Sequence, residues 1–144
     1  MAEGNVEVVR RWFQALSEAP EDVPLSEYWD ADADFYPARK FPEAEPCHGL
    51  EEISQFLLRV LKAWSRLEWA IEEIFEVGDD RVLVRASMHA EGRGSGMELE
   101  GDVYRCIWLR HGRFFRMEDH LTPSGALHAL GLHGETLAGA GLRE

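Results

Sequence analysis

Apolar and polar positions along the chain follow two different periods. Two stretches, residues 6–16 and 53–64, repeat apolar residues at intervals of three and four, which is typical of helices with one buried face. From Leu67 onward apolar and polar residues alternate, and this period of two indicates strands with two different faces. One earlier stretch, residues 32–37, alternates in the same way and predicts an isolated strand.

Proline and glycine mark the ends of these elements. Pro20 ends the first helix, Pro24 opens a short helical turn, and three prolines between residues 37 and 46 predict a loop. Glycine-containing turns separate four successive strands, at residues 78–80, 92–96 and 111–113. The predicted order is helix, short helix, strand, helix and four strands, with a short helix at the end.

This order predicts an α+β fold, in which helices pack on one face of a curved antiparallel sheet. Three or four helices would close the sheet into a cone around a cavity, and such a cavity is a natural site for a small molecule. A chain of 144 residues suits one domain. We expect residues 1–132 to form that domain and residues 133–144 to be a loosely ordered tail.

One acid interrupts the alternation in the last predicted strand. Asp119 lies between Met117 and Leu121, on the same face as Phe115. A carboxylate that points toward a core is unfavourable unless it is paired, hydrogen-bonded or protonated. Asp119 is therefore a candidate general acid or base, and the alternative is a buried structural acid that pairs with Arg85.

The composition restricts the partners of the chain. With 15 Lys and Arg against 27 Asp and Glu, the net charge is -12, which argues against nucleic acid and against anionic membrane surfaces. No apolar run is long enough to span a bilayer, and the polar N-terminal residues do not predict a signal peptide, so we expect a cytoplasmic protein. Cys47 and Cys106 lack a metal-type spacing, and no metal site is predicted.

Polar residues on the strand predicted at 81–91 are candidates for the wall of the cavity. Arg85, Ser87 and His89 share the face opposite to Val84 and its apolar neighbours. The pattern alone allows this polar face to line a pocket, to meet solvent or to meet a dimer partner. We predict that it lines the pocket, with His89 as a hydrogen-bonding wall residue.

Several segments together resemble the SnoaL-like branch of the nuclear-transport-factor-2-like superfamily. Besides the first helix, they are Tyr28-Trp29-Asp30, Asp34-Phe35-Tyr36-Pro37, His48-Gly49, and the ending from His111-Gly112-Arg113 through Asp119-His120 to Gly131-Leu132. The resemblance covers roughly residues 5–132. It implies the cone fold with its cavity, and this fold hosts isomerases, cyclases, dehydratases, epoxide hydrolases and non-catalytic binders.

The chain lacks the general base of the ketosteroid isomerases, which belong to the same superfamily. The three positions that carry the tyrosine and the two aspartates of those enzymes fall on Trp12, Tyr36 and Tyr104. None of these three side chains is a carboxylate. Steroid isomerisation by that route is therefore not expected.

Two other enzyme types of the superfamily point to Asp119. Polyketide cyclases of the SnoaL type carry an acid/base aspartate on the last strand, and Asp119 falls at or near that position. Limonene-type epoxide hydrolases hold an arginine between two aspartates, and Arg85 and Asp119 match two of these three positions. The third position falls on Ser87, which cannot act as a carboxylate. The resemblance thus implies Asp119 as the acid/base and Arg85 as its charge partner.

The pattern and the resemblance disagree about the next-to-last strand. Val103 and Ile107 belong to its more apolar set, so the pattern turns them inward, whereas the resemblance turns Asp102 and Tyr104 toward the cavity. We follow the resemblance in this prediction. Tyr104, with Tyr36 across the cavity, would then donate a hydrogen bond to a carbonyl or an oxyanion of a ligand.

Apolar side chains complete the candidate site. Trp12 and Phe56 on the two long helices are expected to contact a ligand, with a plain core role as the alternative, and Met117 lies beside Asp119. Phe41, in the proline-rich loop, is placed to cap the mouth of the cavity.

We interpret the chain as a small-molecule enzyme that performs acid/base chemistry on a hydrophobic carbonyl or epoxide compound, as an isomerase, cyclase or hydrolase does. Asp119 is the predicted acid/base and Arg85 its charge partner, and the orienting donors are Tyr104, Tyr36 and His89. Such chemistry needs no redox cofactor. The alternative is a non-catalytic ligand-binding or dimerisation module of the same fold.

A homodimer is expected in either case. The outer face of the curved sheet would expose Val82, Val84 or Ile107, and an exposed apolar face favours a partner. The predicted partners are thus a small hydrophobic ligand and a second copy of the chain, without nucleic acid and without a membrane.

Overall fold

Helices and strands fill most of the part of the chain that the computed structural model describes, residues 4–38 and 45–132. Within these residues there are four α-helices: α1 (Asn5–Glu18), α2 (Leu25–Tyr28), α3 (Gly49–Ala63) and α4 (Pro123–Ala129). The six strands are β1 (Trp29–Tyr36), β2 (Cys47–His48), β3 (Trp64–Val77), β4 (Arg81–Gly92), β5 (Glu98–Arg110) and β6 (Arg113–His120). Phe41 and the predicted tail, residues 133–144, lie outside the described residues.

The strands form one curved, unclosed sheet in the order β2-β1-β6-β5-β4-β3. Neighbouring strands are antiparallel except for β1 and β6, which run parallel. The predicted α+β class and the predicted order of elements are confirmed. The two-residue strand β2 is an addition that the alternation did not predict.

The face of the sheet that packs against α1 and α3, here called the inner face, carries the main core. The apolar residues of β4 that alternate along the strand are all buried there: Val82, Val84, Ala86, Met88 and Ala90. They meet the buried stripes of the two long helices: Val9, Trp12 and Phe13 in α1, and Ile53, Phe56 and Val60 in α3. The two periods therefore predict this core, because each element buries one of its faces.

A β-bulge at Phe115 sets the register of the hairpin between β5 and β6. Leu109 pairs with Phe114 and Trp108 pairs with Arg116, so Phe115 is an extra residue in β6. Phe114 is fully buried in the main core, whereas the guanidinium carbon of Arg110 lies 4.9 Å from the ring centre of Phe115 outside it. The prediction that Phe115 belongs to the core face is therefore wrong.

Helix α4 packs on the opposite, outer face of the sheet. It begins at Pro123 with the hydroxyl of Thr122 as its cap, accepting from the backbone N–H of Gly125 at 3.1 Å. Its apolar residues form a second, smaller core with the outer face: Phe75, Val77, Leu83, Cys106, Ala126, Leu127 and Leu130. Among the described helices, none is long and apolar enough to cross a bilayer.

The residues that were expected to form an exposed apolar patch on the outer face lie on the inner face of the sheet. Val82, Val84 and Ile107 have no exposed surface and belong to the main core. The reason given for a homodimer is therefore wrong, because the alternation of β4 and β5 turns these side chains inward. The homodimer itself stays a prediction, which light scattering at micromolar concentration would test.

Candidate functional site

A cavity of about 90 Å³ lies between the inner face of the sheet and helices α1 and α3. This volume holds several water molecules or a small organic molecule. The wall consists of Trp12, Leu16, Pro20, Trp29, Phe35, Pro37, Ile53, Phe56, Leu57, Val60, Leu61, Leu67, Trp69, Arg105, Met117 and Asp119. Among the described residues, Arg105 and Asp119 are the only charged members of this wall.

Arg105 on β5 and Asp119 on β6 lie directly opposite each other in the sheet. The Nε of Arg105 donates to Oδ1 of Asp119 at 2.6 Å, and Nη2 donates to Oδ2 at 2.9 Å. Their side chains are only 7% and 2% exposed. This is a bidentate arginine–carboxylate pair, in which the opposite charges strengthen each hydrogen bond.

Three aromatic rings surround the guanidinium of Arg105. Its carbon atom lies 5.0 Å from the ring centre of Trp69, 5.5 Å from that of Phe13 and 5.8 Å from that of Phe35. Aromatic faces attract a cation at such distances. The rings and the carboxylate of Asp119 therefore fix the guanidinium in one orientation at the wall of the cavity.

Two buried tryptophans of the wall carry a polar atom that has no partner in the described part of the chain. Trp12 and Trp29 are each 2% exposed, and their ring centres are 5.8 Å apart in an edge-to-face arrangement. Within the described residues, Nε1 of each indole lacks a hydrogen-bond acceptor. This is unusual, because a buried indole N–H normally finds one.

The structure brings together one part of the predicted site. Asp119, Trp12, Phe56 and Met117 all line the cavity. Their roles in binding and catalysis remain predictions. Asp119 combines the two environments that the sequence suggested as alternatives, since it is both a buried, paired acid and a member of a cavity wall.

Arg85 is not the partner of Asp119, and that prediction is wrong. Its Nε donates to Oε1 of Glu73 at 2.7 Å, and its Nη1 donates to Oδ2 of Asp102 at 3.3 Å. The side chain of Val84, its neighbour in β4, is buried on the inner face, so alternation turns Arg85 to the outer face.

Ser87, His89 and Asp102 also lie on the outer face rather than in the cavity. The hydroxyl of Ser87 donates to Oε1 of Glu72 at 2.9 Å, and Nδ1 of His89 lies 2.6 Å from Oε1 of Glu100. They border an open depression on the outer face. The predicted contribution of these residues to the cavity wall is therefore wrong, for the same reason of strand parity.

Tyr104 and Tyr36 do not reach the cavity either. Tyr104 packs against the second core on the outer face, and the ring of Tyr36 lies 4.7 Å from the guanidinium carbon of Arg116. Val103 and Ile107 of β5 are buried in the main core instead. For this strand the alternation predicts the inward face correctly, and the face implied by the resemblance is wrong.

Arg105 is the residue of the site that the sequence interpretation missed. It shares the apolar parity of β5 with its neighbours Val103 and Ile107, as Asp119 shares the apolar parity of β6. A charged side chain on the apolar parity of β5 is the signal that could have identified Arg105 as a site residue, although not its partner. Trp29 of the wall was likewise not predicted as a site residue.

Three residues with a shifted pKa, Cys47, His48 and Cys106, are not part of the cavity wall. A hydrogen bond from Nδ1 of His48 to Asp34, 2.5 Å long, raises the pKa of that histidine above its ordinary value. Burial raises the pKa of the thiol of Cys106, which belongs to the second core, and also that of Cys47. Within the described part of the chain, no three His, Cys, Asp or Glu side chains are grouped to hold a metal ion.

Comparison with solved structures shows the same fold in several proteins. An NTF2-like protein of unknown function from Burkholderia pseudomallei is 18% identical over 88% of this chain and 97% of its own, with a TM-score of 0.73. A protein from Jannaschia sp. CCS1, provisionally named a SnoaL-like polyketide cyclase, is 21% identical over 81% of this chain and 83% of its own, with a TM-score of 0.68.

A third protein, from Catenulispora acidiphila, has a ketosteroid isomerase-like fold and was crystallised in complex with trimethylamine. It is 18% identical over 88% of this chain and 93% of its own, with a TM-score of 0.68. No curated protein matches the chain in sequence. The family model described as SnoaL-like domain matches residues 9–117, well over half of the sequence. The chain therefore belongs to the SnoaL-like domain family.

Proposed function

We propose that the cavity binds a small hydrophobic carbonyl compound and that Asp119 moves a proton on it, as in an isomerase or a cyclase. One observation carries this proposal: a single carboxylate, held by Arg105, lies in the wall of an otherwise apolar cavity. A carboxylate in such a place can take a proton from the carbon next to the carbonyl group of a bound ligand while water is excluded.

The pair with Arg105 supports a role for Asp119 as a base. Each carboxylate oxygen accepts one hydrogen bond from the guanidinium and keeps a further lone pair for a proton. The positive charge of Arg105 beside it would balance the negative charge of a forming enolate in this apolar surrounding. The reaction class is therefore proton abstraction next to a carbonyl group.

The name of one relative fits this class, and the other predicted reaction loses its support. The Jannaschia protein is provisionally named a polyketide cyclase, and polyketides are carbonyl compounds. Epoxide hydrolysis depended on Arg85 beside Asp119, and Arg85 lies on the outer face, where it binds Glu73.

Proton abstraction can be measured without knowing the natural substrate. The protein should accelerate exchange of the α-protons of 2-tetralone in D2O, followed by proton NMR. Asp119→Asn should slow the catalysed exchange by about 100-fold or more, the usual contribution of a general base. Glu73→Gln, which removes the carboxylate beside Arg85 on the outer face, is the matched control and should leave the exchange unchanged.

Circular dichroism of each variant separates loss of catalysis from loss of fold. Asp119→Glu keeps a carboxylate in the wall, one methylene further from the backbone, so this variant should retain measurable exchange if the asparagine variant does not fold. Equal exchange rates for the wild type and a folded Asp119→Asn would contradict the assignment of Asp119 as the base.

A second candidate function is ligand binding without catalysis. The observation that favours it is that both Asp119 oxygens accept a hydrogen bond from Arg105, as in a structural ion pair. Tight binding of 2-tetralone without any accelerated exchange would support this candidate over the enzyme.

A further inference from the structure

We propose that Arg105 is a second catalytic residue of the cavity, and that the edge of its guanidinium left free by Asp119 donates hydrogen bonds to the carbonyl oxygen of the ligand. The inference rests on the proposed proton transfer and deepens it, because it names the group that holds the oxygen. The ligand class is thereby an uncharged ketone or aldehyde with a hydrogen atom on the carbon next to the carbonyl group.

Arg105 has more donors than Asp119 uses. A guanidinium carries five N–H groups in one plane. One on Nε and one on Nη2 donate to the two oxygens of Asp119, at 2.6 and 2.9 Å. The others, both on Nη1 and the second on Nη2, have no acceptor among the described residues. Nη1 and Nη2 therefore form a second edge that can bind an oxygen atom.

A ligand in the cavity has access to this free edge. Nη1 is not among the fully enclosed polar atoms that lack a partner in the described part of the chain, so it keeps accessible surface. The indole nitrogens of Trp12 and Trp29, in contrast, are fully enclosed. Arg105 belongs to the cavity wall, Asp119 covers one edge of its guanidinium, and three aromatic rings flank the group. The free edge is the part of the guanidinium that is left to meet the cavity.

The charges of the wall favour an uncharged ligand. Arg105 and Asp119 compensate each other, and the other described residues of the wall carry no charge. An anionic ligand on the free edge would add a second negative charge near Asp119 without a further cation, which is unfavourable in apolar surroundings. A carbonyl oxygen is neutral when it binds and becomes negative only as the proton leaves. The hydrogen bonds from Arg105 therefore strengthen in the transition state, as catalysis requires.

One ligand can reach Arg105 and Asp119 at the same time. Nη2 donates to Oδ2 of Asp119 and has one N–H left, and two acceptors at about 2.9 Å from one planar nitrogen lie about 5 Å apart. In a ketone the oxygen and the neighbouring carbon are about 2.4 Å apart, and a reacting base lies about 3 Å from that carbon. These two spans together cover the distance of about 5 Å between the acceptors.

The step balances without a further reactant. The C–H bond next to the carbonyl group breaks, and its proton goes to the carboxylate of Asp119. Its electron pair forms the carbon–carbon double bond, and the carbonyl oxygen becomes the enolate oxygen that Arg105 holds. Return of the proton to the same or another carbon regenerates the carboxylate.

The first test uses the wild type and compares 2-tetralone with tetralin, a hydrocarbon of similar shape that lacks the carbonyl group. A hydrogen bond from a charged donor should make 2-tetralone bind about tenfold more tightly or better, as measured by titration calorimetry. The infrared carbonyl stretch of bound 2-tetralone should lie below its frequency in hexane, because a hydrogen bond to the oxygen weakens the C=O bond.

A paired substitution removes the donor without leaving a charge in the core. Arg105→Leu combined with Asp119→Leu replaces the whole ion pair with apolar side chains, a change that is often neutral for stability. In this variant the preference for 2-tetralone should disappear, and the carbonyl stretch should rise to its frequency in hexane. Arg85→Gln with Glu73→Gln, the matched change on the outer face, should leave both unchanged.

Several results would overturn the proposal. Equal affinity of the wild type for the two compounds, no binding of 2-tetralone at millimolar concentration, or a carbonyl stretch as high as in hexane would each show that no donor holds the oxygen. A stretch that stays low in the folded paired variant would show that the donor is not Arg105. If the paired variant does not fold, the measurements on the wild type still decide.

The same measurements keep the two proposals apart. If Asp119 is not the base, a folded Asp119→Asn variant will exchange the protons of 2-tetralone as fast as the wild type, while the wild type still shows the lowered stretch and the tighter binding. If Arg105 does not hold the oxygen, the lowered stretch and the preference for 2-tetralone are absent, although exchange can still depend on Asp119.

Discussion

Two arginines on adjacent strands make the same kind of ion pair on opposite faces of the sheet. Arg105 binds Asp119 on the inner face, with side chains 7% and 2% exposed, and Arg85 binds Glu73 on the outer face, with side chains 28% and 37% exposed. Water competes for the second pair and hardly reaches the first. An arginine–carboxylate ion pair is therefore expected to contribute differently to stability on the two faces of the sheet.

The difference is expected to be large in energy. Ion pairs that water can reach stabilise a protein by roughly 0–1 kcal/mol. Removing one partner of a buried pair leaves a charge without compensation and costs about 3–5 kcal/mol. A conservative substitution in the inner pair should therefore lower the free energy of unfolding more than the same kind of substitution in the outer pair.

Removing the inner carboxylate should have the largest effect. Asp119→Asn takes the negative charge from Arg105 and should lower the free energy of unfolding by about 3 kcal/mol, measured by urea denaturation. Glu73→Gln, the matched change at the outer pair, should alter it by about 1 kcal/mol or less. A more stable Asp119→Asn variant would contradict this and would indicate an acid kept at the expense of stability, as at many active sites.

Changing the cation while keeping its charge should have an intermediate effect. Arg105→Lys loses the planar fork that binds Asp119 and the packing against the three rings, and should cost about 2 kcal/mol. Arg85→Lys should stay within about 0.5 kcal/mol of the wild type, as most surface substitutions do. Thermal unfolding of the two variants checks this, and equal losses would show that burial does not separate the two pairs.

An exposed pair at the start of α3 should give the smallest effect, and one that depends on pH. The Asp34 carboxylate raises the pKa of His48, whose side chain is 64% exposed. The stabilisation is therefore fully present below the ordinary histidine pKa of about 6.5 and is lost as the pH rises through the raised value. His48→Gln should remove this dependence, as measured by melting temperatures between pH 6 and 9, and an unchanged profile would refute it.

The sequence predicted the fold and one half of the inner pair. Alternation and helical periodicity predict the element order because each element buries one face, and Asp119 violates that rule visibly. Arg105 on the preceding strand is also a charged residue on the buried face, but the sequence does not show which acid it binds. A regular hairpin through the 111–113 turn would place Arg105 opposite Glu118, and only the bulge at Phe115 brings Asp119 there.

The other errors concern which of two faces points inward. The parity of Arg85, Ser87 and His89 relative to one another was correct, but period two alone does not say which side meets the helices. Bulges add to this difficulty, since the extra residue Glu72 in β3 sends Phe75 to the outer core, away from the inner Ile71. After a bulge, the residues that were expected on one face of the strand lie on the other.

The bulge at Phe115 also makes the length of this hairpin adjustable. A homologue that lacks one residue there would have a regular strand and still place its acid opposite its arginine, because the bulge alone absorbs the difference. An alignment without a gap at this point would match Glu118 with the acid of that homologue. Insertions and deletions in such a hairpin can therefore be neutral for the cavity while they mislead any comparison made position by position.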